Sequence, residues 1–161
     1  MTKGQRIAAA AAVLIGTAAG LGAFTFVYAK GYSYLTTDPA ACANCHIMDE
    51  HYSAWLKSSH RNVAGCNDCH TPHDLVGKYA TKAKNGFWHS FYFTTGNFPY
   101  PLRITGGNKE IVEGACRSCH EGITSAMNHG GVIAPPGMEV QPAREEIACT
   151  HCHEYVGHWV R

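Results

Sequence analysis

The chain has 161 residues, a formal net charge of +1, 11 histidines and eight cysteines. A balance so near neutrality excludes the basic surface that nucleic-acid binding requires. Less its apolar N-terminal segment, the chain is short enough to bury only a modest core of its own, so it requires covalent or metal staples.

The first element is that segment. No charge interrupts the sequence from Ile7 to Ala29, which is long enough to cross a bilayer as one helix, so residues 1–30 read as a cytoplasmic tip and transmembrane anchor. Lys3 and Arg6 precede it, and the positive-inside rule keeps them in the cytoplasm and sends everything after Lys30 to the periplasmic side. Val27-Tyr28-Ala29 loosely resembles a signal-peptide cleavage site, but a signal h-region is much shorter than this stretch, which favours a retained anchor.

All eight cysteines then fall into one repeated pattern: Cys42-Ala-Asn-Cys45-His46, Cys66-Asn-Asp-Cys69-His70, Cys116-Arg-Ser-Cys119-His120 and Cys149-Thr-His-Cys152-His153. Two thiols at this spacing can each form a thioether to a haem vinyl group while the adjacent histidine meets the iron, so the pattern predicts four covalently bound haem c groups. A zinc module does not require a histidine after every cysteine pair, and a disulfide framework explains neither the histidine nor the uniform spacing.

The motif starts are 24 residues apart in the first pair and 33 apart in the second, suggesting two dihaem units, about 31–105 and 106–161, within one periplasmic haem domain. Thr36-Thr37-Asp38-Pro39 reads as a turn and N-cap opening the first motif. Pro135-Pro136-Gly137 breaks the chain before the last. No strand pattern of useful length occurs, and the expected fold is mainly α with little regular secondary structure, organised by haem. Asp74 to Phe93 has helical spacing and mixes Lys78, Lys82 and Lys84 with Phe87, Trp88, Phe91, Tyr92 and Phe93, a composition suited either to the headgroup region or to packing on haem faces.

An electron-transfer haem is usually six-coordinate, so second ligands must come from outside the motifs. His73 and His158 lie too near their own motif histidines to reach round the same porphyrin. A reciprocal exchange places His158 on the Cys66/Cys69/His70 haem and His73 on the Cys149/Cys152/His153 haem. His60, or else His129, then serves the Cys116/Cys119/His120 haem. Met48 remains for the first haem, or as a packing residue. His51 and His151 read as exposed residues or as supports to the ligands.

The anchor with Cys42-Ala-Asn-Cys45-His46-Ile-Met48, the run Ser59-His60 to Cys66-Asn-Asp-Cys69-His70-Thr-Pro-His73, the segment Lys82-Ala-Lys-Asn-Gly-Phe-Trp-His89 and the terminal Cys152-His153-Glu-Tyr-Val-Gly-His158 resemble the tetrahaem quinol dehydrogenases of the NapC/NirT family, in its short form, over essentially the whole chain. The resemblance implies a menaquinol dehydrogenase in a bacterial cytoplasmic membrane. It would pass electrons, within a hetero-oligomer, to a pentahaem catalytic subunit that reduces nitrite to ammonium. It also implies bis-His ligation of the last three haems through His60, His73 and His158, and puts Met48 rather than His46 on the first. The residue aligned with His89 is an acid in some members, beside the open side of the first haem, and a histidine there either binds that iron or takes part in proton transfer.

Quinol oxidation releases two electrons and two protons, whereas haem accepts single electrons, so a base must stand beside the first haem. Lys82 and His89 are seven apart and share one helical face, which makes them the candidates for hydrogen bonding the quinol oxygen and relaying its proton. Rival functions for the same residues are an electron donor to another periplasmic reductase, a terminal reductase of a small substrate at an open haem, and a passive electron wire.

Overall fold

The computed structural model of the chain describes residues 1–129 and 148–158, apart from the side chains of residues 126–129. The Pro135-Pro136-Gly137 break and the His129 side chain fall outside the described residues. The mainly α expectation is borne out: the described residues form helices and short 3-10 turns without a strand.

Helix α1 spans Lys3–Tyr28. Thr2 caps it reciprocally with Gln5: the Gln5 N–H donates to Thr2 Oγ1 at 3.2 Å and the Thr2 N–H donates to Gln5 Oε1 at 2.8 Å. At 1.5 Å per residue the helix is about 39 Å long, enough to cross the hydrocarbon layer. Every residue along it is exposed, including Leu14 at 71% and Phe24 at 64%, so none of the described residues covers this apolar surface. A lipid environment is the physical answer to that exposure.

Lys30, with φ 52°, turns the chain out of α1, and a 3-10 turn over Gly31–Leu35 follows. Asp38 caps the next 3-10 turn, Pro39–Asn44, by accepting the Ala40 N–H at 2.9 Å, with Pro39 at its first position. That is the turn and N-cap expected to open the first motif. The third turn, His46–Met48, leads into α2, Asp49–Trp55.

Helix α3, Cys66–His70, is a single motif folded into helix, and α4 runs Leu75–Thr95. Asp74 caps α4 by accepting the Gly77 N–H at 2.7 Å. Gly96, at φ 68°, closes it in the left-handed conformation that glycine adopts without a Cβ penalty, with the Asn97 N–H reaching back to the Tyr92 carbonyl at 3.1 Å. Then come α5, Gly106–Cys119, α6, Glu121–His129, and α7, Cys149–Cys152. Helix α5 packs on α3, α6 and α7, so it joins the two halves expected to meet near residue 105, and Asn108 donates to Asn85 Oδ1 of α4 at 3.2 Å.

The interior is thin. Among the described residues the buried ones are Ala115, Thr71 and Lys82, and no large side chain is fully enclosed. Polypeptide packing alone does not make a core for a chain of this length, which is the condition expected where bulky apolar prosthetic groups occupy the interior.

Candidate functional site

The four motifs have a common local form. In each, the cysteine pair lies in or against a short helical turn, and the histidine stands at or just beyond its end. His120 and His153 are the residues immediately after α5 and α7. In the second motif Asp68 stabilises the turn by accepting the Gly65 N–H at 2.8 Å, and the Thr71 hydroxyl donates to the Asn67 carbonyl at 2.7 Å. All eight cysteines are free. No three metal-binding side chains converge among the described residues, so the thiols do not gather as a zinc centre would gather them.

The motifs follow one another in space as in sequence. The 3-10 turn Pro39–Asn44 packs on α3, α3 packs on α5, and α5 packs on α7. Consecutive attachment points are therefore neighbours along the whole series.

Histidines outside the motifs come forward to meet those inside. The His70 and His158 rings lie 5.9 Å apart with only 10° between their planes, and the His60 and His120 rings lie 6.2 Å apart at 71°. Two imidazoles on opposite sides of one iron, each at a metal–nitrogen bond of roughly 2 Å, hold their ring centres about 6 Å apart, so both pairs have the separation of an axial ligand set. His60 is oriented by the Ser59 hydroxyl, 3.2 Å from its Nδ1, which leaves Nε2 for a metal. His158 keeps a buried Nδ1 without a hydrogen-bond partner, and the ring of His51 meets it edge-on at 5.1 Å. Burial, with His158, His51 and His89 nearby, holds the His70 pKa down to about 4, so its imidazole is neutral at ordinary pH, the form that binds iron.

The remaining candidates are less engaged. His73 is exposed, with Nε2 3.0 Å from the Asp68 carbonyl oxygen, and no ring contact joins it to His153 among the described residues. His46 and His151 are exposed and Met48 is half-buried.

Lys82 and His89 share a face of α4, and both are held by the segment that leaves the membrane helix. Lys82 is 6% exposed, its Nζ donating to the Thr36 carbonyl at 2.6 Å. Burial, reinforced by Lys78, lowers its pKa. His89 Nδ1 lies 3.1 Å from the Tyr34 hydroxyl. The His89 ring retains exposure in the isolated chain, yet enough protein surrounds it for desolvation to lower its pKa. Tyr34 is pushed up to about 12 by burial and by Cys45 and Cys42, so it keeps its proton and is a hydrogen-bond partner rather than a base. The Tyr34 ring lies over Gly86, where a Cβ would meet it at 3.4 Å, an ordinary van der Waals contact.

Three supports carry no sequence signal of their own: Tyr34, the Thr36 carbonyl and Glu113. The Glu113 carboxylate accepts the N–H of Cys149 at 2.6 Å, the N–H of Thr150 at 2.9 Å and the Thr150 hydroxyl at 2.5 Å. It thereby caps α7, whose own preceding residue, Ala148, supplies no side-chain cap. These partners are far apart in sequence, so spacing does not reveal them.

An uncovered apolar helix, four haem-attachment motifs laid end to end and paired imidazoles define a membrane-anchored multihaem c-type cytochrome. The chain belongs to the NapC/NirT cytochrome c family, whose N-terminal region model matches residues 2–161. The cytochrome c-type protein NrfH of Wolinella succinogenes is 33% identical over 159 residues, covering 98% of this chain and 89% of its own. The cytochrome c nitrite reductase subunit NrfH of Nitratidesulfovibrio vulgaris is 33% identical over 147 residues, covering 91% and 82%. The solved cytochrome c nitrite reductase NrfHA complex bound to the HQNO inhibitor contains a chain similar in structure, with a TM-score of 0.59 and 26% identity, covering 88% of this chain and 87% of that one. The expected family is thus confirmed, and with it covalently bound haem c.

Proposed function

We propose that this chain oxidises menaquinol at the periplasmic face of the bacterial inner membrane and passes the electrons through four covalent haems to a pentahaem nitrite reductase subunit. Support for the partner comes from the two NrfH relatives and the NrfHA complex, and support for a quinol site comes from the inhibitor in that complex. Lys3 and Arg6, before α1, support a cytoplasmic N-terminus.

The observation that carries the quinol reading is the pairing of Lys82 and His89 on one face of α4, each tied to a residue just past the membrane helix. Bound haem supplies one-electron acceptance at each attachment point. The chain's residues must therefore manage the two protons. Lys82, with a pKa lowered by burial, hydrogen-bonds the quinol oxygen and helps to draw off its proton. His89 is the relay outward. With Nδ1 occupied by the Tyr34 hydroxyl, its Nε2 is the nitrogen presented to the headgroup.

For the iron, His158 is the second ligand at the Cys66/Cys69 haem and His60 at the Cys116/Cys119 haem, supported by the two ring separations near 6 Å. By family resemblance Met48 serves the first haem and His73 the last.

Changing Lys82 to Leu is the test. The variant is expected to retain its full haem content and lose menaquinol oxidation, while normal turnover would remove Lys82 from the mechanism.

A further inference from the structure

Helix α4 has a second face. Phe87 and Phe91 lie one turn apart, as do Trp88 and Tyr92, and the four rings form one connected set: Phe87 meets Trp88 at 5.2 Å, Trp88 meets Phe91 at 5.8 Å and stacks on Tyr92 at 5.3 Å, and Phe91 meets Tyr92 at 5.7 Å. The set is open to the outside, with Phe87 63%, Phe91 47% and Trp88 41% exposed. Phe93, four residues past His89 and so on the other side of the helix, stacks instead on Phe98 at 5.7 Å. Lys84, also exposed, lies one turn before Phe87 and Trp88 on the same side. Lys82, Gly86 and His89 occupy the opposite side, against Thr36 and Tyr34.

What covers this patch follows from its position. Tyr34, which seats on Gly86, lies six residues beyond Tyr28, the last residue of the membrane helix. At no more than about 3.5 Å per residue, the chain allows at most roughly 20 Å between them. The middle of α4 is therefore tethered close to the lipid boundary. From Leu75 to Thr95 the helix contains no Asp or Glu, and of its three lysines Lys84 lies on the aromatic side, a charge suited to anionic headgroups. Aromatic rings beside lysine on one helical face are the composition that settles at the headgroup level.

We propose that the Phe87/Trp88/Phe91/Tyr92 face of α4 lies in the lipid headgroup region as a second membrane attachment, continuous with that of α1. This sets the depth of the opposite face, which carries Lys82 and His89. The inference rests on the membrane anchor and not on the quinol reading, so the loss of either leaves the other standing.

The test uses the haem-loaded full chain in nanodiscs of phosphatidylethanolamine and phosphatidylglycerol, with a phospholipid bearing a photoactivatable diazirine near its headgroup. Adducts are mapped by peptide mass spectrometry. Labelling of residues 87–93 is expected at a level comparable to that around Tyr28, and Phe87→Ser/Phe91→Ser should lose most of it while keeping wild-type haem content. If that variant fails to take up haem, the wild-type labelling pattern alone decides the matter. Adducts confined to α1, or labelling of α4 unchanged in a haem-loaded variant, would overturn the proposal. So would masking of this face on addition of a pentahaem partner, because the patch would then be a protein interface.

Discussion

Replacing Glu113 with alanine removes a carboxylate that holds the fourth motif against α5. The loss takes away acceptors for the Cys149 N–H, the Thr150 N–H and the Thr150 hydroxyl, at 2.6, 2.9 and 2.5 Å. A hydrogen bond to a charged group contributes about 1.5–3 kcal/mol, and bonds sharing one carboxylate do not add. Glu113 is only half-buried, so solvent screening places the loss at the lower end, about 1.5 kcal/mol for the set. At 1.36 kcal/mol per decade, that predicts hydrogen exchange of the Cys149 and Thr150 amides about tenfold faster in the haem-loaded variant. Glu113→Gln can retain Oε1 for Thr150 while losing the acceptor for Cys149, so it should fall between.

The same contact gives the effect a pH signature. Burial alone would raise the Glu113 pKa, but the bonds from Thr150 and Cys149 outweigh it and hold the group below the ordinary carboxylate value. A depressed folded pKa means that the stabilisation is complete above the unfolded value, about 4.3, and is lost as pH falls through the lower folded value. The difference between wild type and Glu113→Ala should therefore be full at neutral pH, begin to shrink as pH falls past the unfolded carboxylate value and close as it falls through the lower folded one. Equal amide protection in the two proteins at neutral pH would refute the capping role.

Two further outcomes follow from the site. Tyr34→Phe keeps the ring on Gly86 but removes the hydroxyl from His89, so menaquinol turnover should fall by up to about tenfold, the worth of one neutral hydrogen bond, with the visible haem spectrum unchanged. His158→Ala and His60→Ala should each convert one low-spin haem into a five-coordinate high-spin one by electron paramagnetic resonance, and a spectrum unchanged in either variant would remove that residue from the ligand set.

Local chemistry explains what the sequence made legible. The cysteine-histidine motifs, the uncharged run from Ile7 to Ala29, the Asp38 cap and the long helix after Asp74 each depend on residues within a few positions of one another. The sequence also proposes His158 for the Cys66/Cys69/His70 haem and leaves His60 or His129 for the third, because few histidines are available and two are excluded from their own porphyrins by chain length; the His158–His70 and His60–His120 ring separations are compatible with that proposal. Tyr34, Thr36 and Glu113 were not legible in this way. Each acts across a long sequence separation, and Thr36 acts through a backbone carbonyl that no side-chain pattern can report.

The thin interior and the order of the motifs together constrain how the molecule can work. The turn Pro39–Asn44 packs on α3, α3 on α5 and α5 on α7, so each motif-bearing element is adjacent to the next. The first motif follows directly on the segment that leaves α1, and that segment contacts α4, whereas the fourth motif is held against α5 by Glu113. On the proposed quinol reading, electrons enter beside the segment that leads into the first motif, and the packed series of motif-bearing elements is the path onward. Since so little of the polypeptide is buried on its own, the prosthetic groups that line this path must also supply the interior. A variant unable to load one motif is then expected to lose local structure as well as a relay site.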